Sequence, residues 1–250
     1  MAQEPSFEHL TIHSPQNHPE IHVITLRKPP ENRLDVAFAQ TIISALRHIE
    51  RSLNRQQLER GGAVVITSFS SKFFCTGLVL DESDTNIYAN SDGFYPLLAT
   101  LVDYPYPTIA CVTGHTFGGA CPFAMSMDYR VMNSERGFFS MPPVNLGLHF
   151  DGIGALPRLK FGGRVARKML LEAYKWTSKE ALQDGIVDKI AKPDNMLNVA
   201  IELAIEQAPR SKMGVYGLLR TELWGEALEK FRRISYTHRR REGTEPKAKI

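Results

Sequence analysis

A short apolar run, Ile109 to Val112, bounded by Pro107 and Gly114, constrains this chain most. It leads within a few residues to Gly118-Gly119 and then to the apolar helical run Ala120 to Met127. Such a run suits a strand buried on both faces. The two glycines permit backbone angles and close approaches that a side chain forbids. A helix start leaves N–H donors unpaired and carries a partial positive charge, so the stretch Pro107 to Asp128 is built to aim backbone N–H groups at an anion. Taken as a bare pattern, strand–Gly–Gly–helix also describes a plain tight turn.

A second segment changes the balance. Gly61 to Leu80 again runs from an apolar β-branched strand into a turn that contains Gly77. Two separate strand ends, each supplying one N–H, are what a two-donor oxyanion hole needs.

The rest of the chain reads as continuous. Phe7 to Ile12 and Ile21 to Leu26 suit a paired set of entry strands, interrupted by the polar turn that starts at Ser14. Phe38, Ile42, Leu46, Ile49 and Leu53 recur at helical spacing within Leu34 to Leu53. Glu82 to Val102 is expected to be mostly helical, Ile186 to Ile190 a late strand, and Asn195 to Gln207 and Gly214 to Arg233 helices. With 250 residues, 43% hydrophobic and 23% charged, the chain has ordinary globular composition and needs no metal or disulfide to hold a core. Cys75, Cys111 and Cys121 are odd in number and scattered, and read as reduced packing residues of an intracellular protein. No His/Cys/Asp cluster has metal-ligand spacing. No apolar run approaches the ~20 residues of a membrane span, and the first residues lack both a basic and an apolar leader region, so a secreted or membrane-spanning protein is not expected.

The motifs Phe74-Cys-Thr-Gly-Leu78, Pro107 to Ala120, Asp128, Asn145-Leu-Gly-Leu148 and Ala181 to Asp188 resemble, in order and spacing, those of the crotonase (enoyl-CoA hydratase/isomerase) superfamily. The resemblance runs from about residue 7 to 225. It implies an α/β fold, a crotonase-like core of stacked ββα turns wound as a superhelix, with a C-terminal helical trimerisation lobe. Residues 1–190 would form the core with the acyl-CoA site, 191–235 the helical lobe, and 236–250 a basic tail. It further implies a homotrimer or hexamer and an acyl-CoA thioester whose carbonyl is held by the backbone N–H groups of Leu78 and Gly119. Coenzyme A is then part of the substrate, and no separate cofactor or metal is implied.

Around those donors, Thr76, Gly77 and Gly118 are carried over as substrate-binding positions. Arg27 and Lys28 either meet the CoA phosphates or belong to a proline-stiffened connector. His115 lies in the second turn, where an imidazole can act as acid or base, or else packs against the loop. Asn145 orients substrate or bonds within its own loop, and His149 is a pocket or an exposed loop residue. Asp128 reads as structural, and Asp81 and Asp84 as surface residues at a helix start.

Reaction type depends on carboxylates. Hydratases of the family carry two glutamates, one three residues after the second oxyanion glycine and one early in the following loop. Here those positions are Pro122 and, aligned by Gly147, Pro143. Proline cannot move a proton. In peroxisomal Δ3,Δ2-enoyl-CoA isomerases a glutamate stands three residues after the position of Leu148, and here that residue is Asp151. Moving a double bond needs one base, which removes a C2 proton and returns it at C4 while the oxyanion hole holds the dienolate. Asp151 is the candidate base. Beside Gly152 it also suits capping of a helix over Ile153 to Leu159. Val112-Thr-Gly-His115, Ala124 to Tyr129 and Arg136 to Met141 are similar to the plant peroxisomal branch of these isomerases.

Three functions compete: a fatty-acid β-oxidation isomerase with Asp151 as base; a divergent hydratase or dehydratase of specialised metabolism that recruits His115, His149 or a water network; and a silent acyl-CoA-binding homologue. The formal net charge of +3 is mild. Arg232, Arg233 and Arg239 to Arg241 cluster without the aromatic interleaving of a nucleic-acid surface, so they read as a solvated helix end or an aid to binding CoA phosphates. Ala248-Lys249-Ile250 is similar to the small–basic–aliphatic peroxisomal address, which makes an import receptor an expected partner and the peroxisome, otherwise the cytoplasm, the expected location.

Overall fold

The computed structural model describes residues 6–56 and 61–233. The basic run Arg239 to Arg241 and the terminal Ala248-Lys249-Ile250 lie outside the described residues. The entry strands β1 (Leu10–His13) and β2 (Ile21–Leu26) pair antiparallel, with Leu10 opposite Leu26 and Ile12 opposite Ile24. Helix α1 (Val36–Gln56) starts where an Asp35 carboxylate oxygen accepts the Phe38 N–H at 2.8 Å. Its helically spaced Phe38, Ile42, Leu46, Ile49 and Leu53 are all buried, each worth about 1.5–3 kcal/mol of transfer free energy.

Two strands follow, β3 (Ala63–Ser68) and β4 (Phe73–Cys75). The stretch expected to be mostly helical is so: α2 (Glu82–Thr85) is followed, after a break at residues 86–88, by a π-helical turn Asn90–Phe94 that continues directly into α3 (Tyr95–Val102). Strand β5 (Thr108–Val112) does not run straight into the glycine turn. The chain bends at Gly114 and inserts β6 (His115–Phe117) before α4 (Ala120–Met125). Next come β7 (Tyr129–Asn133), β8 (Phe139–Ser140), a 3-10 turn Pro143–Leu146 and α5 (Ala155–Leu171). The chain closes with α6 (Ser178–Gln183), β9 (Lys189–Ala191), α7 (Met196–Gln207) and α8 (Tyr216–Arg233). The late strand lies three residues beyond its expected start, because Ile186 and Val187 are spent on core packing instead.

Six strands form one sheet in the order β1-β2-β3-β5-β7-β9, parallel except for β1, and β4-β6-β8 form a second parallel sheet. Each of the units β3-β4, β5-β6 and β7-β8 thus sends its first strand to the large sheet and its second to the small one, then returns through helix. Along the large sheet the side chains alternate. Val64, Ile66, Ala110, Val112 and Met132 meet α1, α3 and α4, while Val65, Ile109, Cys111 and Val131 meet Met196, Ala200, Leu203 and Ala204 of α7. Both faces are covered at β3 and β5, which is why Ala63 to Ile66 and Ile109 to Val112 read as unbroken apolar runs. Helix α8 packs on α3 and α5. Among the described residues no helix is long and apolar enough to cross a membrane.

The three cysteines are buried and unpaired, as expected. Burial pushes the Cys75 thiol up to about 12 and the Cys111 thiol up to about 11, so neither offers a thiolate near neutrality.

Candidate active site

The two glycine turns meet. At Gly77, φ is +94°, and a Cβ placed there would lie 2.8 Å from the Phe117 carbonyl oxygen and 2.9 Å from the Gly119 nitrogen. The turn is pinned by the segment before α1. The Leu34 N–H donates to the Gly77 carbonyl at 2.8 Å, the Val79 N–H to the Leu34 carbonyl at 3.0 Å, and the Thr76 N–H to the Glu31 carbonyl at 3.2 Å. Buried Asn32 adds side-chain N–H bonds to Ser68 Oγ and the Phe74 carbonyl. These contacts use the Gly77 carbonyl and the Val79 N–H on either side of Leu78 and leave its own N–H with no acceptor among the described residues.

The second turn is held from the other side. Gly118, at φ +57°, donates its N–H to the Ser140 carbonyl at 3.0 Å, while its own carbonyl accepts from Cys121. Gly119 is the residue before α4 and has ordinary right-handed angles. What requires glycine there is space, because a Cβ would lie 3.0 Å from Leu78 Cγ and 3.4 Å from Phe94 Cε2. The Gly119 N–H also lacks an acceptor among the described residues. Two unpaired backbone donors therefore sit on abutting turns, walled by the Leu78 and Phe94 side chains.

The far end of α4 is locked by cations. The Ser126 carbonyl accepts from Arg220, and the Met127 carbonyl accepts from Arg130 and from Lys160 Nζ at 2.9 Å. Positive groups belong at a helix C-terminus, where carbonyls lack partners. Asp128, read as structural, accepts the Thr108 N–H at 2.9 Å and lies 2.8 Å from Arg220 Nε, with both side chains nearly buried. Arg220 also donates to the Tyr104 carbonyl, so α8 is tied to both β5 and α4. That pairing joins residues far apart in the chain, and no local pattern announces it.

The polar candidates fall in different places. Thr76 Oγ1 donates to Glu31 at 2.8 Å, a bond that, ahead of the other influences, holds the Glu31 carboxyl below the usual range. The Lys28 ammonium pairs with Asp35 and lies 5.4 Å from the Phe38 ring centroid. Burial opposes ionisation of Asp35, but Lys28 and the Phe38 N–H outweigh it and hold this carboxyl low. Exposed Arg27 stacks over Phe69 at 4.9 Å, and Arg27 and Lys28 line one cleft with Pro29, Pro30 and Ser70. His115 is turned into aromatic rings, stacked on Phe117 at 5.2 Å and flanked by Phe73 and Phe138. Burial, then Lys72 and Arg136, lower its pKa. Asn145 and His149 are exposed on the loop after β8.

Pro122 is buried in the first turn of α4 and Pro143 opens the 3-10 turn. Asp151 does not cap a helix. Helix α5 begins at Ala155, its capping residue is Gly154, and no side chain bonds its first amides, because turns at Gly152 and Ile153 delay the helix. The Asp151 side chain is exposed, and its backbone carbonyl accepts from the Tyr95 hydroxyl at 2.7 Å. Sequence reasoning missed Glu82, whose carboxylate accepts the Val36 N–H at 3.2 Å, and Phe94, the apolar wall of the site. Neither carried a motif. Among the described residues no group of three or more His, Cys, Asp or Glu is arranged to hold a metal.

Stacked ββα units with two abutting glycine turns make this a crotonase-like fold. The family profile described as enoyl-CoA hydratase/isomerase matches residues 16–221. The chain is 33% identical over 213 residues to enoyl-CoA delta isomerase 1, peroxisomal, of Arabidopsis thaliana, covering 82% of this chain and 87% of that one. It is 27% identical over 206 residues to carnitinyl-CoA dehydratase of Salmonella arizonae, covering 79% of this chain and 76% of that one. The crystal structure of human mitochondrial delta3-delta2-enoyl-CoA isomerase shares the fold, with a TM-score of 0.74, 20% identity, and coverage of 92% of this chain and 93% of that one. The chain belongs to the enoyl-CoA hydratase/isomerase family.

Proposed function

We propose that this protein is a Δ3,Δ2-enoyl-CoA isomerase that works through an oxyanion-stabilised dienolate. The observation that carries the reading is the pair of unpartnered N–H groups of Leu78 and Gly119 on abutting turns, combined with proline at both positions where a hydratase keeps its glutamates. The thioester oxygen of a 3-enoyl-CoA accepts both N–H bonds. The Asp151 carboxylate takes a C2 proton, the C2–H electrons form the C1–C2 enolate bond, and negative charge collects on the thioester oxygen. The dienolate then collapses, C4 takes the proton back from Asp151, and the double bond stands between C2 and C3. The balance closes inside the substrate, so no cofactor is assigned. Fixed donors act here with little reorganisation, and one donor of this kind is worth about 10²–10³ in kcat.

Arg27, in its cleft with Lys28, is assigned to the CoA phosphates, and Thr76, Gly77, His115, Gly118, Asn145 and His149 to the substrate surroundings. Exposed Leu218, Leu219 and Leu223 on α8 support a homotrimer or hexamer. The Arabidopsis relative's description as peroxisomal supports the same location here, reached through the C-terminal tripeptide.

The test is incubation with a 3-enoyl-CoA while the conjugated 2-enoyl thioester is followed by its ultraviolet absorbance. Asp151→Asn should lower kcat about 10²–10⁴-fold with KM little changed. Absence of turnover above buffer rules out the isomerase, and an Asp151→Asn variant with wild-type kcat rules out this base. The likeness to a carnitinyl-CoA dehydratase favours a second reading, dehydration of a 3-hydroxyacyl-CoA, which the same assay run on that substrate detects.

A further inference from the structure

The exposed Asp151 side chain has no hydrogen-bond partner of its own among the described residues, yet a base must approach its proton to within about 2.6–3.2 Å. Something other than the carboxylate's own bonds must place it. The loop carrying it is held by two local turns, in which the Ile153 N–H donates to the Phe150 carbonyl and the Ala155 N–H to the Gly152 carbonyl. Among the described residues it is also held by a long-range bond, from the Tyr95 hydroxyl to the Asp151 carbonyl at 2.7 Å.

Tyr95 begins α3, directly after the π-helical turn, and is fully buried. Its ring is held between Phe94, 5.5 Å away, and Phe231 of α8, 6.2 Å away, so the hydroxyl has a fixed aim. The residue before it, Phe94, touches the other half of the site: its Cε2 lies 3.4 Å from where a Gly119 Cβ would be, and it lines one small cavity with Leu78. Two adjacent residues at one helix start therefore reach the oxyanion donors on one side and the base-bearing loop on the other. A π-helical turn at this point is in keeping with a functional role, since such turns concentrate at functional sites.

We propose that Tyr95 is a positioning residue that sets the Asp151 carboxylate in register with the Leu78 and Gly119 donors. The role rests on the isomerase reading above. It acts through geometry alone: the hydroxyl touches neither substrate nor proton, and it fixes the peptide plane from which the short aspartate side chain must reach C2 and C4. Displacing a catalytic group by about 1 Å can lower a rate about 10²-fold.

The comparison is between Tyr95→Phe and Tyr104→Phe. Tyr104 is as deeply buried, and its hydroxyl likewise donates to a backbone carbonyl, that of Leu46, at 2.9 Å, but it touches neither turn. Both variants keep the ring and lose one hydrogen bond, so their Tm should fall alike. Tyr95→Phe should lower kcat for 3-enoyl-CoA isomerisation ten- to a hundredfold with KM within twofold, whereas Tyr104→Phe should keep kcat. A kcat for Tyr95→Phe within twofold of wild type, or an equal loss in both variants, overturns the positioning role. Failure of the wild-type protein to isomerise any 3-enoyl-CoA overturns the isomerase reading itself, an outcome visible before either variant is made.

Discussion

Replacing Gly77 by alanine tests the meeting of the two turns directly. The new Cβ would lie 2.8 Å from the Phe117 carbonyl oxygen and 2.9 Å from the Gly119 nitrogen, both well inside ordinary contact, and both backbone atoms that cannot rotate away. The residue must also hold φ +94°, which costs an L side chain about 1–2 kcal/mol. The turns relax by moving apart, and the atom displaced is a proposed donor. Loss of one donor predicts a fall in kcat of about 10²–10³, or about 2.7–4 kcal/mol of transition-state stabilisation. The strain itself is controlled for by Gly185→Ala. Gly185 has φ +70° and open space around its Cβ position, so that variant should lose about 1–2 kcal/mol of stability and keep its kcat. The assay is the rate of conjugated thioester formation from 3-enoyl-CoA, read with Tm for each protein. A kcat for Gly77→Ala within threefold of wild type, or an equal loss in Gly185→Ala, would refute the argument.

Two further outcomes concern stability. Arg220→Met should destabilise the fold by about 3–5 kcal/mol in chemical denaturation, because it leaves the nearly buried Asp128 carboxylate without its cation; a change below 1 kcal/mol would contradict the clamp. His22, on β2, has its pKa lowered to about 4 by burial and then by His48. Between about pH 6.5 and pH 4 the unfolded chain therefore binds a proton that the folded chain refuses, so stability should fall as pH drops through that window. His22→Gln should flatten this part of the profile of denaturation midpoint against pH, and parallel profiles for the two proteins would show that another group is responsible.

Local pattern reached what local physics controls. The apolar run Ile109 to Val112 lies in a strand because both faces of the large sheet are covered there, and the helical spacing from Phe38 to Leu53 marks a face that is buried throughout. Strand β6 was invisible, since three residues with a histidine among them carry no periodicity. Ile186 and Val187 look like strand residues, yet they fill the core from a turn, because apolarity reports burial before it reports conformation. In sequence His115 reads either as an acid or base or as a residue packed against its loop, and the choice falls to packing only once the small sheet brings Phe73, Phe117 and Phe138 around it.

The sequence by itself determined the family, the glycine turns, and the prolines at positions 122 and 143 on which the proposed isomerase reading rests, because these reside in residue types and short spacings. Only the tertiary structure decided that Gly119 must be glycine for want of room rather than for its backbone angles, and that Asp151 caps no helix. It alone brought Arg220 to Asp128 and Tyr95 to the Asp151 loop. Each of those contacts joins segments far apart in the chain, and their geometry follows from how two sheets and their helices pack, which spacing along a chain does not encode.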